Sequence, residues 1–228
     1  LNAYELGVKS QFLDNRATLN LAGFWTEISD YQTAITDTDP VAGVIRQYIA
    51  NIPKVRSKGV EGDFRFAVSD RLAFNSSASY TDAKYVSYSN APLAPEINPV
   101  RAGLPNLSAA DLSGQQLPGV PKFAYTLGTD GNLPVAKGIS AYAHADWSYR
   151  SSFNTSSSNS RLAQIAGYGL INARLGVRSE NGLWDVALWA KNLLDKDYYL
   201  SLSPAATGVV TGQVGEPRTF GATLRSRF

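Results

Sequence analysis

The chain contains no cysteine, a single histidine and comparatively little charge. Without cysteine there is no disulfide framework and no thiolate metal site. Charged residues make up 18%, against about 25% in an ordinary soluble chain. The formal charge is +2, with no long run of either sign, so nucleic-acid binding has no electrostatic support. No stretch approaches the roughly 20 apolar residues of a membrane helix, and mean hydropathy is −0.17. The remaining way for such a chain to cross a bilayer is a β-barrel, which hides its apolar signal by alternation. There is no initiator methionine and no signal peptide, because Leu1 to Glu5 already reads as a strand. The chain is therefore expected to be a piece of a longer polypeptide.

What is present is alternation of period two. Ile139, Ala141, Ala143, Ala145, Trp147 and Tyr149 share one parity; Ser140, Tyr142, His144, Asp146, Ser148 and Arg150 share the other. Successive strand residues point to opposite faces, so one face is apolar and one polar. The same reading gives nine strands, near 3–13, 16–29, 50–68, 71–84, 119–130, 138–152, 163–179, 183–193 and 217–228. Many exceed the usual 5–6 residues or so of soluble strands and suit the roughly 9–11 needed to cross a membrane at a tilt.

The connections alternate in length. Short turns fall at 14–15, 69–70, 130–137 and 180–182; long polar loops fall near 30–49, 85–118, 153–162 and 194–216. Outer-membrane barrels have short periplasmic turns and long extracellular loops. With the short turns periplasmic, the ninth strand ends in the periplasm. The fold class expected is all-β: an antiparallel up-and-down transmembrane barrel wall. A soluble β-sandwich also alternates apolar and polar faces, and is the competing fold.

Little of the sequence points to catalysis. His144 shares a face with Asp146, Ser140 and Ser148, but that face is the luminal one, where a lipid-cleaving serine–histidine pair would have no substrate. A wall histidine bonded to Asp146 is the simpler reading. No phosphate loop, metal cluster or paired-carboxylate motif stands out, so neither an enzyme nor a cofactor is expected. Lys54, Arg56 and Lys58 share the parity of Val60 and Phe64 and so point outward, just above the apolar stretch. At that level they are candidate contacts for lipopolysaccharide phosphates.

Three stretches carry a resemblance. Arg56-Ser57-Lys58-Gly59-Val60-Glu61 resembles the R-x-K/R-G-V/I-E strand start of TonB-dependent receptors. Asn192-Leu193-Leu194-Asp195-Lys196-Asp197-Tyr198-Tyr199 resembles that family's N-L-x-D-x-x-Y/F-Y segment. Gly215-Glu216-Pro217-Arg218-Thr219-Phe220-Gly221 resembles its G-x-P-R-x-F/W-G closing strand. Leu117 to Lys122 adds weaker support, and the order of the set makes it specific. Ser226 departs from the pattern, on the otherwise apolar face of the last strand.

The resemblance implies a barrel of roughly 22 strands around an N-terminal plug, with residues 1–228 as its last nine strands and the plug and earlier strands upstream. It implies active uptake of a scarce ligand, most often a ferric siderophore or other iron complex, energised by the TonB complex acting on the plug. It implies that the terminal strand, with Phe228, is the signal read by the barrel-assembly machinery. Within that frame Arg150 and Lys191, high on the luminal face, and the loop aromatics Tyr85, Tyr88 and Phe153 are candidate ligand contacts, the aromatics serving equally well as loop-packing residues. Arg174, Arg178, Arg225 and Arg227, lower down, are candidate contacts to plug carboxylates. The same charges would also serve simply to solvate a lumen. A passive porin-like channel is the alternative function.

Overall fold

Thirteen strands form in the computed structural model, which describes residues 1–38, 45–97, 107–205 and 208–227. In chain order they are β1 (Asn2–Phe12), β2 (Ala17–Thr38), β3 (Ile45–Ser69), β4 (Leu72–Ser87), β5 (Phe123–Ala136), β6 (Ile139–Arg150), β7 (Phe153–Asn154), β8 (Gln164–Ile165), β9 (Tyr168–Ser179), β10 (Trp184–Lys191), β11 (Tyr199–Pro204), β12 (Val210–Val214) and β13 (Thr219–Ser226). One 3₁₀ turn, Arg161–Ala163, is the only helical element described. Among the described residues no helix is long and apolar enough to cross a membrane.

Nine of these strands make one sheet, in the order β1-β2-β3-β4-β5-β6-β9-β10-β13. Each pairs antiparallel with its neighbour. This is the nine-strand meander expected from the alternation. Neither β1 nor β13 has a second neighbour among the described residues. Because paired residues share a face, the register tests the two-sided reading directly. One row runs Lys9, Asn20, Asp63, Ser77, Thr126, Ser148. The row beside it on the other face runs Val8, Leu21, Gly62, Ala78, Tyr125, Tyr149.

Among the described residues the apolar face has no second layer. Leu6, Leu175, Leu188, Phe220 and Leu224 are each more than 60% exposed. In water a patch of this size is a liability; against lipid it matches its surroundings. A sandwich would bury these side chains against a second sheet. The buried clusters lie instead at the long-loop end. One contains Ile52, Val55, Tyr85, Tyr88, Ala91 and Leu112; the other contains Phe153, Ile165 and Tyr168.

Three boundaries differ from the sequence reading. The segment 30–49 was expected to be loop, but β2 and β3 stay paired up to Thr38 and Ile45. At 22 and 25 residues they run well beyond a membrane crossing. Thr33, Ile35 and Ile49 suit extended backbone, and nothing in a polar loop forbids pairing. The turn expected at 130–137 tightens to Lys137–Gly138, where Gly138 takes φ 74. Pro134 is absorbed at a register shift. Residues 163–167, expected to begin a spanning strand, belong to the end of the 3₁₀ turn, β8 and its exit, because β7 and β8 form their own hairpin. The loops 153–162 and 194–216 are structured too, the latter by the β11–β12 hairpin.

Candidate functional site

Two of the hollows on the polar face are lined by residues the sequence singled out. The lower, near the short turns, has a volume of about 560 Å³, with five arginines (65, 71, 174, 178 and 225) against three aspartates (70, 130 and 185) in its lining. Its walls are ordered by their own contacts. The Tyr142 ring sits between the Arg174 and Arg178 guanidiniums, at 5.6 and 5.3 Å. Its hydroxyl donates to Asp185 at 2.9 Å and accepts from Arg174 Nε at 3.2 Å. Arg174 Nη2 lies 3.5 Å from Asp185. Beside them His144 Nδ1 is 2.8 Å from Asp130, while Asp146 is the looser partner at 3.5 Å. Asn75 donates to the other oxygen of Asp130, and Asn172 to Asp146. Arg225 lines the hollow with no ion pair among the described residues. Arg227 does not line it; its amide bonds to the Leu183 carbonyl.

The upper hollow has a volume of about 470 Å³ and lies toward the long loops. Its floor is hydroxyl-rich, with Ser77, Ser79, Thr126 and Ser148, and Glu61 and Asp63 stand at one side. Arg150, the last residue of β6, stands at the other. Its guanidinium lies 5.9 Å from the Phe153 ring centre and 5.5 Å from that of Tyr168. Tyr168 in turn packs on Tyr198 at 4.6 Å. Among the described residues no carboxylate pairs with Arg150. The result is a guanidinium held in place by aromatic faces and left free to bind an anion.

The expected ligand contacts part company here. Arg150 lines the hollow. Phe153 is buried, but beneath Arg150, and so acts through it. Tyr85 and Tyr88 are 2% and 4% exposed and pack on each other inside the loop core, so a packing role replaces the expected contact. Packing within the loop was the other role open to these aromatics, and the structure places Tyr85 and Tyr88 in it. Lys191 projects near Glu216 at 4.0 Å, outside the hollow's lining. The outward Lys54, Arg56 and Lys58 sit where expected, on the apolar side at its upper margin: Lys58 pairs across the sheet with Trp25. Phe228 lies outside the described residues. Tyr168, the second ring under Arg150, was missed, although it shares the parity of Asn172, Arg174 and Arg178 on the polar face.

The model of the TonB-dependent receptor-like β-barrel matches residues 2–193. The chain belongs to the TonB-dependent receptor family. It is 26% identical over 226 residues to the ferric-pyoverdine M114 receptor PbuA of Pseudomonas sp. (strain M114), covering 99% of this chain and 24% of that protein. Among solved structures it resembles the ferric yersiniabactin uptake receptor FyuA from Yersinia pestis, at TM-score 0.73 and 17% identity, over 99% of this chain and 29% of that one. It also resembles the closed form of the ferric-catecholate import receptor Fiu from K12 E. coli, at TM-score 0.64 and 24% identity, over 99% and 27%. The chain thus spans about a quarter of the length of these receptors.

The receptor-family motifs acquire physical roles in this frame. Asn192, 3% exposed, donates to the carbonyls of Lys196 and Glu216 and accepts from the Lys196 amide. Asp195 accepts from the Arg218 amide and pairs with its guanidinium at 3.3 Å. Tyr198 accepts from the Glu216 amide, and its ring lies over Gly215. Two motifs that look separate in the receptor sequence are therefore one clasp closing the last long loop. The third motif has its own reason: a side chain at Gly59 would strike the Tyr80 carbonyl and the Phe24 ring.

Proposed function

We propose that residues 1–228 form the C-terminal part of the barrel of an outer-membrane receptor for a ferric siderophore or another iron complex, energised through TonB. The observation that carries this is the Arg150 hollow. It presents a cation with no ion pair among the described residues, held on the rings of Phe153 beneath it and Tyr168 beside it, above a hydroxyl-rich floor on the polar face at the long-loop end. Ferric chelates bear anionic oxygens, and a guanidinium answers them with charge-assisted hydrogen bonds. Relatives named as receptors for ferric pyoverdine and ferric yersiniabactin support the class of ligand.

The bare edges of β1 and β13 would pair with further strands, since an unpaired edge is not viable in lipid. The lower hollow, rich in arginine, would meet carboxylates of a plug, with Arg174, Arg178 and Arg225 facing it and Arg227 at its margin. TonB would act through that plug. The barrel-assembly machinery would read the terminal strand and Phe228.

The test uses the complete receptor in an iron-starved strain lacking other uptake routes. Arg150→Ala should lower binding of radioiron-labelled ferric pyoverdine, or of whichever ferric siderophore in a panel the wild type takes up, by about tenfold, near 1.4 kcal/mol. Assembly should be unchanged. If no ferric complex accumulates above the deletion strain, the iron assignment fails. If accumulation persists when the inner-membrane potential is dissipated, the protein is a passive porin-like channel.

A further inference from the structure

Outward-facing charge is the least expected feature of a lipid-facing wall, and here it is gathered in one place. Lys54, Arg56 and Lys58 on β3, and Lys84 on β4, share the outward parity. Arg56 and Lys84 are directly paired across the strands, as are Lys58 and Asp82, and Glu27 and Arg56. Paired positions lie about 5 Å apart and alternate residues about 7 Å, so the four cations occupy one patch.

The patch is built rather than loose. Glu27 bridges two of its members, with Lys54 Nζ at 2.6 Å and Arg56 Nη2 at 2.9 Å. The Arg56 guanidinium lies 5.5 Å from the Trp25 ring centre. Lys84 meets Asp82 at 3.1 Å, and Lys58 has no ion pair among the described residues. Four cations against two carboxylates leave an excess of positive charge.

The level of the patch identifies its surroundings. Immediately beside Lys58 is a pair of rings, Trp25 and Tyr4, 5.6 Å apart. Two residues further along β3 is Val60, paired with Tyr80, which packs on Phe123 at 5.0 Å. Aromatic rings of this kind mark the headgroup boundary of a barrel. A lysine or arginine facing the middle of the bilayer is costly, and the cost falls nearly to zero at the interface. The cations therefore sit at headgroup level on the long-loop side.

Resting on the outer-membrane reading proposed above, we infer that this patch is a binding site for the phosphate groups of an outer-leaflet glycolipid. Lys58 and Lys84 make the direct contacts, and the Glu27-bridged Lys54 and Arg56 complete the site. Charge complementarity selects the occupant, because phosphate is the anion available at that level. Glu27 holds two cations in position but also competes with the lipid for them.

The competition gives the test a sign as well as a size. The complete receptor is purified in detergent and washed, and retained lipid A is measured by mass spectrometry. Rebinding is then followed with phosphorylated lipid A, with its dephosphorylated form and with inorganic phosphate as competitor. Each surface cation beside an anionic headgroup is worth roughly a fivefold change in binding. Lys58→Gln with Lys84→Gln should lower retention by about tenfold or more. Glu27→Gln should raise it, which a merely structural role would not do. The dephosphorylated lipid should not be retained.

Unchanged retention in both variants overturns the inference. Equal binding of the dephosphorylated lipid assigns the contact to acyl chains, and displacement by millimolar inorganic phosphate makes it a free-anion site; either result overturns it. If the double variant does not assemble, Glu27→Gln alone decides. Heat-shifted mobility in SDS reports the barrel itself: its absence in the wild type sinks the outer-membrane reading, whereas its presence with unaltered lipid sinks only this inference.

Discussion

The wall and the cap of this molecule are held together in opposite ways. In the wall, the β1–β2 and β6–β9 pairs run in unbroken register, and large apolar side chains such as Leu188 and Leu224 point outward, exposed. In the cap, residues 88–97, 107–122, 153–165 and 194–205 form only short hairpins and turns, yet they bury Tyr88, Leu112, Phe153 and Ile165 and cover Tyr85 at the end of β4. The wall takes its apolar solvent from outside, and the cap has to make its own. The cap therefore depends on specific contacts between loops distant in sequence. Glu96 accepts from the Ser160 hydroxyl at 2.6 Å and from the Arg161 amide at 2.9 Å. The Thr155 hydroxyl donates to the Leu202 carbonyl at 2.7 Å.

If that contrast is right, a charge should damage one face of the wall and spare the other. Leu188→Arg, outward in the apolar belt, should cost about 2–4 kcal/mol and show as a loss of heat-shifted receptor in membranes. Ser77→Arg, on the polar face, should stay within about 0.5 kcal/mol of wild type. Equal effects at the two positions would abolish the distinction between faces.

A subtler probe asks where wall and packing meet. Gly59→Ala would drive a methyl into the Tyr80 carbonyl and the Phe24 ring. Overpacking of this kind costs about 1–3 kcal/mol, and urea unfolding of the assembled receptor should report it. A neutral result would mean that the glycine of the R-x-K-G-V-E motif answers to something other than close packing.

The smallest expected effect tests the cap alone. Burial works against ionisation of Glu96, but the Ser160 hydroxyl and backbone amides outweigh it and hold the carboxyl below its ordinary range. A lowered carboxyl contributes stability that is fully present above the ordinary glutamate value and is lost as pH falls through the lowered one. The protection factor of the Arg161 amide against hydrogen exchange should therefore fall only in acid. Glu96→Gln should bring about the loosening at neutral pH, at a local cost of about 1 kcal/mol. The spanning strands should remain protected in both cases; if they open together with the loops, wall and cap are one cooperative unit.

The same contrast explains what was legible in the chain. Period-two alternation located all nine wall strands and assigned the faces of Asp63, Arg174, Trp147 and Leu188, because a strand in lipid has no freedom to reverse a residue. It failed at 30–49, where pairing continues above the membrane without an apolar face to announce it. In the cap it could not choose between ligand contact and packing for Tyr85 and Tyr88, which are buried.

The sequence by itself determined the meander, its two faces, the level of the outward cations and the family motifs. These are local: each follows from neighbours one or two residues away and from the solvent on each side. Tertiary structure alone decided that the Asn192–Tyr199 and Gly215–Arg218 motifs form one clasp, that Tyr168 joins Phe153 beneath Arg150, and that Glu96 ties two loops together. These contacts join residues 15 to 65 positions apart, and no periodicity in a chain records which of its distant loops will touch.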